Sequence, residues 1–227
     1  SGGLSQFVGN FRRFNTDCIS GINLGKNANT PNEDAISDYK AGMHQCYALA
    51  DYLTINISSP NTKGLRNLQQ GDDLQHLLKS MHETRCELED KHQKRVPLAL
   101  KIAPDLEPDA IKMIADTCQN HAMDAIIAAN TTIQRPESLT SVIAKETGGL
   151  SGAPLSEMST RIINLLRQAL GESFPIIGVG GIMSAADAME KFSAGANLVQ
   201  IYTGFVYQGP KLIHEIVSRY ENASRTG

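Results

Sequence analysis

The sequence lacks any apolar run near the ~18 residues that a membrane-spanning helix requires, so the chain as given is not expected to cross a bilayer. It also lacks a charge excess. The formal net charge is −3, which argues against a nucleic-acid-binding surface. Cysteine is sparse: Cys18, Cys46, Cys86 and Cys118 form no CxxC, and reduced thiols are the expected state. Six histidines are scattered without metal-ligand spacing, so no metal site is expected. Repeats, low-complexity tracts and linkers are missing, which makes residues 1–227 one domain. A dinucleotide GxGxxG is missing as well, because Gly178-Val179-Gly180-Gly181 does not have the final spacing.

What is present is an alternation of two textures. Six short apolar runs, Cys18–Leu24, Tyr52–Ile57, Val96–Ala103, Asp124–Ala129, Pro175–Val179 and Ala196–Tyr202, carry little polar alternation. Strands buried on both faces read this way. Between them lie amphipathic stretches: Glu33–Ala50, Asp72–Lys91, Pro108–His121, Ser156–Leu170, a segment from Ser184 to Gly195, and Pro210–Tyr220. Pro108 suits a first helical turn, Gly171 a helix end, and Ser184 with Asp187 a capping box. Repeated βα units predict a parallel sheet with helices outside. Without the dinucleotide fingerprint, a (β/α)8 TIM barrel is favoured over a doubly wound sheet. Such a barrel has eight strands in about 250 residues. The chain opens on a helix-like stretch, Leu4–Phe14, and reads as the last six βα units.

Polar residues inside the apolar runs mark the chemistry. Asn23, Asn56, Lys101, Asn130, Gly180-Gly181 and Tyr202-Thr203 fall near strand C-terminal ends, which converge on one face of a parallel barrel. One buried Asn is more often a structural hydrogen-bonder. Three Asn and a Lys at equivalent ends of four strands are harder to assign to chance. Amides carry both donors and an acceptor, so several together can read a ring edge that alternates N–H and C=O. Lys101 has three readings: a strand-end residue snorkelling to solvent, a cation beside a flavin's N1/O2 edge, or a Schiff-base amine. Thr147–Gly152, Gly178–Gly181 and Tyr202–Gly204 suit phosphate binding through backbone N–H groups, although a glycine pair alone can be only a tight turn. Ser58-Ser59-Pro60-Asn61 is made of turn formers, and serine without a proton path is a poor base. The connection that follows, up to Gly71, is long enough to suggest a lid.

Seven motifs, in order, resemble one family. They are Gly21–Asn27 (GINLGKN), Asn56–Thr62 (NISSPNT), Ala99–Asp105 (ALKIAPD), Ala129–Thr132 (ANTT), Gly148–Gly152 (GGLSG), Ile177–Ile182 (IGVGGI) and Val199–Gly204 (VQIYTG). Together they resemble the class 2, quinone-linked dihydroorotate dehydrogenases. The resemblance implies an FMN-containing (β/α)8 barrel that oxidises dihydroorotate to orotate in pyrimidine (UMP) biosynthesis, with quinone as electron acceptor. It implies hydride transfer from substrate C6 to flavin N5, with Ser59 as the base for the C5 proton. Class 1 enzymes have Cys at that position, so Ser59 decides the class. Asn23, Asn56, Lys101, Ala129, Gly152, Gly181, Tyr202 and Thr203 fall at FMN-contacting positions. Asn56, Asn61, Asn130 and Thr131 fall at substrate positions. Ala129 stands where Thr is common, which removes a hydroxyl, and Thr203 where Ser is common, which keeps one.

The family pattern begins earlier, with a helical pair for membrane and quinone and then two strands carrying further FMN and substrate contacts. Those parts are expected to be absent here. The complete protein is expected at a membrane surface, bacterial inner or mitochondrial inner, as a peripheral protein. Two other functions fit the residues: a Schiff-base aldolase using Lys101, and a truncated, inactive or binding-only barrel fragment.

Overall fold

The computed structural model describes residues 3–13, 17–137, 139–141 and 144–226. The chain starts with helix α1 (Gly3–Phe11), and the expected end of that helix at Phe14 lies outside the described residues. Six strands follow: β1 (Gly21–Leu24), β2 (Tyr52–Asn56), β3 (Leu98–Ile102), β4 (Ala125–Ala128), β5 (Ile176–Val179) and β6 (Leu198–Gln200). They form one all-parallel sheet in the order β1-β2-β3-β4-β5-β6. A doubly wound sheet reverses its strand order at a switch point, whereas a barrel wall never does. The unbroken order is therefore that of consecutive barrel units.

Each crossover carries helix: α2 (Ala35–Cys46), α3 (Gly71–His92), α4 (Pro108–Asn120), α5 (Ser156–Leu170) and α6 (Ala185–Ser193), with α7 (Thr203–Gln208) and α8 (Lys211–Thr226) after β6. Their apolar stripes face the sheet. α3 buries Leu74, Leu77, Leu78, Met81 and Leu88, which recur at helical spacing. Pro108 occupies the first turn of α4, where its missing N–H costs nothing. At the head of α6 the Asp187 N–H donates to Ser184 Oγ at 3.2 Å, while Asp187 Oδ2 accepts from the Met183 N–H at 2.9 Å. Gly171 ends α5 with a φ of 73°.

A repeated device sets the strand register. Asp51, Asp124 and Asn197 each stand one residue before β2, β4 and β6. Each accepts a backbone N–H from the neighbouring strand's start with its side chain: Ser20 at 2.7 Å, Leu98 at 2.8 Å and Ile176 at 2.9 Å. Each also donates its own N–H back to the same residue's carbonyl. At the middle pair, Asp124 carries the charge of the buried Arg85 at 2.7 Å as well. This end of the sheet is a clamp of polar groups, which frees the opposite end for chemistry.

One hydrophobic core runs under β1 to β5 and α2 to α5. A small second cluster, Ile182, Ala188, Leu212 and Ile216, lies under α6 and α8. The apolar runs expected as strands are longer than the strands observed. The Cys18–Leu24 run pairs only from Gly21, and the Ala196–Tyr202 run only over Leu198–Gln200.

Candidate active site

An open cleft of about 490 Å³ lies at the C-terminal ends of β3 to β6. Lys101, Ala129, Asn130, Thr131, Gly152, Gly181, Tyr202 and Thr203 all line it, as the sequence motifs imply. Its position follows from register. Lys101 stands opposite Asn56 across the β2–β3 pair and opposite Ile127 across β3–β4. Burial lowers the Lys101 pKa below the ordinary lysine value. Among the described residues no carboxylate pairs with it. An amine in that condition favours an anion beside it.

The polar wall is built from side chains. Asn56 Oδ1 accepts from both the N–H (3.1 Å) and the Oγ (2.7 Å) of Ser58. Ser58 Oγ in turn accepts from Asn130 Nδ2 at 2.9 Å. One fully buried hydroxyl thus ties the two amides that end β2 and follow β4. Tyr39 on α2 donates its phenol proton to the Asn56 carbonyl at 2.7 Å, and burial keeps that phenol neutral. Asn130 Oδ1 accepts from the Thr131 N–H at 2.7 Å. Asn56 therefore reaches the cleft through Ser58 and Asn130 rather than by lining it.

Ser59 is half-buried, and its Oγ accepts from the Asn61 N–H at 3.3 Å. The loop carrying both residues meets the far side through Gly149. A side chain on Gly149 would overlap Thr131 Oγ1 at 1.8 Å and approach Pro60 at 3.1 Å. Ser59 and Asn61 flank Pro60, which with Thr131 packs around Gly149, and neither lines the cleft itself. Asn23 lies on the edge strand β1 with an exposed side chain, away from the cleft lining. The sequence brought Asn23 into the group because it ends an apolar run. In the structure, its strand has a neighbour on one side only.

The opposite wall is backbone. Gly181 adopts a φ of 75°, and a Cβ there would lie 2.2 Å from Ser156 Cα, so only glycine fits against the start of α5. Gly152 turns at a φ of 81° beside Thr203. The Thr203 and Ser151 hydroxyls are 3.0 Å apart, which joins the loop after β4 to the end of β6. Below this wall the buried Lys191 donates to the Ser156 carbonyl at 2.7 Å and to Ser156 Oγ at 3.2 Å.

The connection from Ser58 to Gly71, long enough to suggest a lid, is only partly loose. Leu65–Gln69 forms a 3₁₀ turn with Leu65, Leu68 and Gln69 buried. Gln69 Oε1 accepts from the Ala103 N–H at 2.8 Å, and Asn32 Nδ2 donates to the Gly64 carbonyl at 2.6 Å. These bonds fasten the second half of the connection.

A family profile described as "Dihydroorotate dehydrogenase" matches residues 3–223. The chain belongs to the dihydroorotate dehydrogenase family. It is 49% identical over 226 residues to "Dihydroorotate dehydrogenase (quinone)" of Bordetella avium, covering 98% of this chain and 65% of that protein. To the protein of the same description from Shewanella amazonensis it is 51% identical over 218 residues, covering 96% and 64%. Among solved structures it resembles the Eimeria tenella DHODH in complex with ferulenol, with a TM-score of 0.87 at 37% identity. That match covers 97% of this chain and 62% of the other. The chain spans just under two thirds of the length of these relatives. The six βα units correspond to part of a dihydroorotate dehydrogenase TIM barrel.

Proposed function

We propose that the protein containing these 227 residues oxidises dihydroorotate to orotate in pyrimidine (UMP) synthesis, with FMN in the cleft and a quinone as the final acceptor. Residues 1–227 form a single FMN-binding barrel domain in this reading. The observation that carries it is the cleft's composition: a Lys101 with no carboxylate partner among the described residues, bridged amides on one side and glycine loops on the other. The description of the relatives as quinone enzymes supports the acceptor.

The residues fit FMN. The cleft volume is within the range of ligand pockets, about 300–1,000 Å³. Gly152 and Gly181 line the cleft in turns at positive φ, where their backbone N–H groups would meet a phosphate, with the Thr203 hydroxyl on the same lining. Tyr202 and Ala129 would add contacts, and Lys101 would face the ring edge that gains negative charge. Asn23 and Asn56 belong to the proposed FMN set on the family motifs alone, since neither lines the cleft. FMN, when bound, supplies the hydride acceptor.

The chain's own residues hold the substrate and move its proton. Asn56, Asn61, Asn130 and Thr131 offer donors and acceptors to a ring that alternates N–H and C=O. Two adjacent serines compete for the role of base, and their surroundings separate them. Ser58 Oγ is buried and committed to two amides, whereas Ser59 Oγ is half-exposed and holds one N–H donor. Ser59 therefore takes the C5 proton. No carboxylate, imidazole or amine bonds to it among the described residues, so water must carry its own proton away.

Among the described residues no helix is long and apolar enough to cross a membrane. We assign the meeting with a membrane-held quinone to the part of the relatives' length that this chain does not span, which makes the whole protein a peripheral membrane enzyme. The acceptor is tested by mixing the dihydroorotate-reduced, FMN-loaded full-length protein with quinone in vesicles. Fast reoxidation is expected. Reoxidation by fumarate or NAD but not by quinone overturns the assignment.

A further inference from the structure

Arg66 is absent from the motif-derived site, yet its guanidinium joins three loops. Nε donates to the Ser58 carbonyl at 2.9 Å, on the loop after β2. Nη2 donates to the Thr131 carbonyl at 2.8 Å, on the loop after β4. Nη1 pairs with Asp105 at 2.6 Å, on the loop after β3. Asp105 also accepts from the Thr132 hydroxyl and from the Ile133 N–H at 3.3 Å. Both side chains are mostly buried, at 19% and 10% exposure, so water competes weakly for these bonds. The Ser58 carbonyl lies immediately before Ser59, and the Thr131 carbonyl immediately after Asn130. Ser58 Oγ ties Asn56 to Asn130 on the inner side, and Arg66 ties the same two loops on the outer side.

We propose that Arg66, oriented by Asp105, is a positioning residue that sets the Ser59 hydroxyl against the substrate held by Asn130 and Thr131. The proposal rests on the dihydroorotate reading above. A planar fork with three fixed donor directions does this, whereas a lysine ammonium has no such fixed geometry. Among the described residues the Arg66 guanidinium bonds to Ser58, Asp105 and Thr131 and not to Gly152, Gly181 or Lys101, so its loss spares FMN anchoring.

The test is rapid mixing of FMN-loaded, full-length Arg66→Lys protein with dihydroorotate under anaerobic conditions, with Asp105→Asn as a second variant. A misplacement of about 1 Å costs roughly a hundredfold in rate, so flavin reduction is expected to slow by about that factor. Flavin content, melting temperature and reoxidation by quinone are expected to stay within twofold or a few degrees of the unsubstituted protein. Deuterium at substrate C5 is expected to slow the variant more than the parent, because proton removal becomes limiting. Asp105→Asn is expected to show the same pattern at smaller amplitude, and the double variant to be no slower than Arg66→Lys. Reduction within twofold of the parent overturns the proposal. So does a loss of rate that tracks loss of flavin, or an unchanged C5 isotope effect. If the unsubstituted protein is not reduced by dihydroorotate at all, the functional reading falls and the clamp falls with it.

Discussion

On one side of the cleft, side chains hold side chains: Asn56, Ser58, Asn130, Arg66 and Asp105 form a continuous set of bonds across three loops. On the other side, Gly181 presents backbone against α5, Gly152 turns beside Thr203, and Thr203 and Ser151 join at a single hydroxyl contact. The first wall suits discrimination and proton transfer, because amides and hydroxyls point in chosen directions. The second suits an anion held by many equivalent N–H groups. Substitutions in the two walls should therefore fail differently, the first in rate and the second in cofactor retention.

The largest effect is expected at Ser59. Ser59→Ala should slow flavin reduction by about 10²–10⁴-fold, the usual worth of a general base, while flavin content stays unchanged. Stopped-flow absorbance of the loaded protein reads both. Next is Lys101, a cation at the reacting ring in this account. Lys101→Met should slow reduction by about 10²-fold, with a smaller loss of FMN affinity. Crossing to the backbone wall, Gly181→Ala places a methyl against Ser156 at a positive φ. Overpacking of that kind costs about 1–3 kcal/mol, or roughly ten- to hundredfold in FMN affinity by titration. Each flavin that does bind should still be reduced at the parent rate. Slow reduction of fully loaded Gly181→Ala protein would erase the contrast between the walls.

Two smaller effects sharpen it. Thr203→Val removes one hydroxyl bond, worth about 1 kcal/mol, and should weaken FMN several-fold without touching the rate. Lys191 supports the glycine wall from below, and burial pushes its pKa down to about 8. The unfolded chain then holds its proton more tightly than the folded one, so folding is penalised below about pH 8. That penalty fades as pH rises towards the ordinary lysine value of 10.5. The melting temperature of the parent, measured against Lys191→Met, should climb across that window. A flat difference would mean that Lys191 titrates normally.

The strands and most helices were legible in the sequence because doubly buried strands are unbroken apolar runs and the helices carry clear stripes. Helix α7 was not, since Thr203–Gln208 is six residues with a glycine inside. Lys101, Asn130, Gly181, Tyr202 and Thr203 were readable from their places at strand ends and Gly152 from its glycine-rich loop, whereas Ala129 and Thr131 entered through the family motifs alone. Arg66 and Asp105 were not, because a lone charge in a loop reads as solvated until three loops are seen to meet around it. Residue pattern alone does not separate Ser58 from Ser59; the family motif points to Ser59. Only the bonds to Asn56 and Asn130 show which hydroxyl is already committed. Asn23 marks the reverse case, a residue selected by motif whose neighbours in the described chain do not bring it to the cleft.

The most direct measurement is the visible spectrum of the full-length protein, loaded with FMN and mixed anaerobically with dihydroorotate. The account predicts a yellow protein whose absorbance near 450 nm bleaches within about a second, consistent with ordinary turnover rates. A protein that stays colourless after FMN addition, or stays yellow with dihydroorotate, would contradict it.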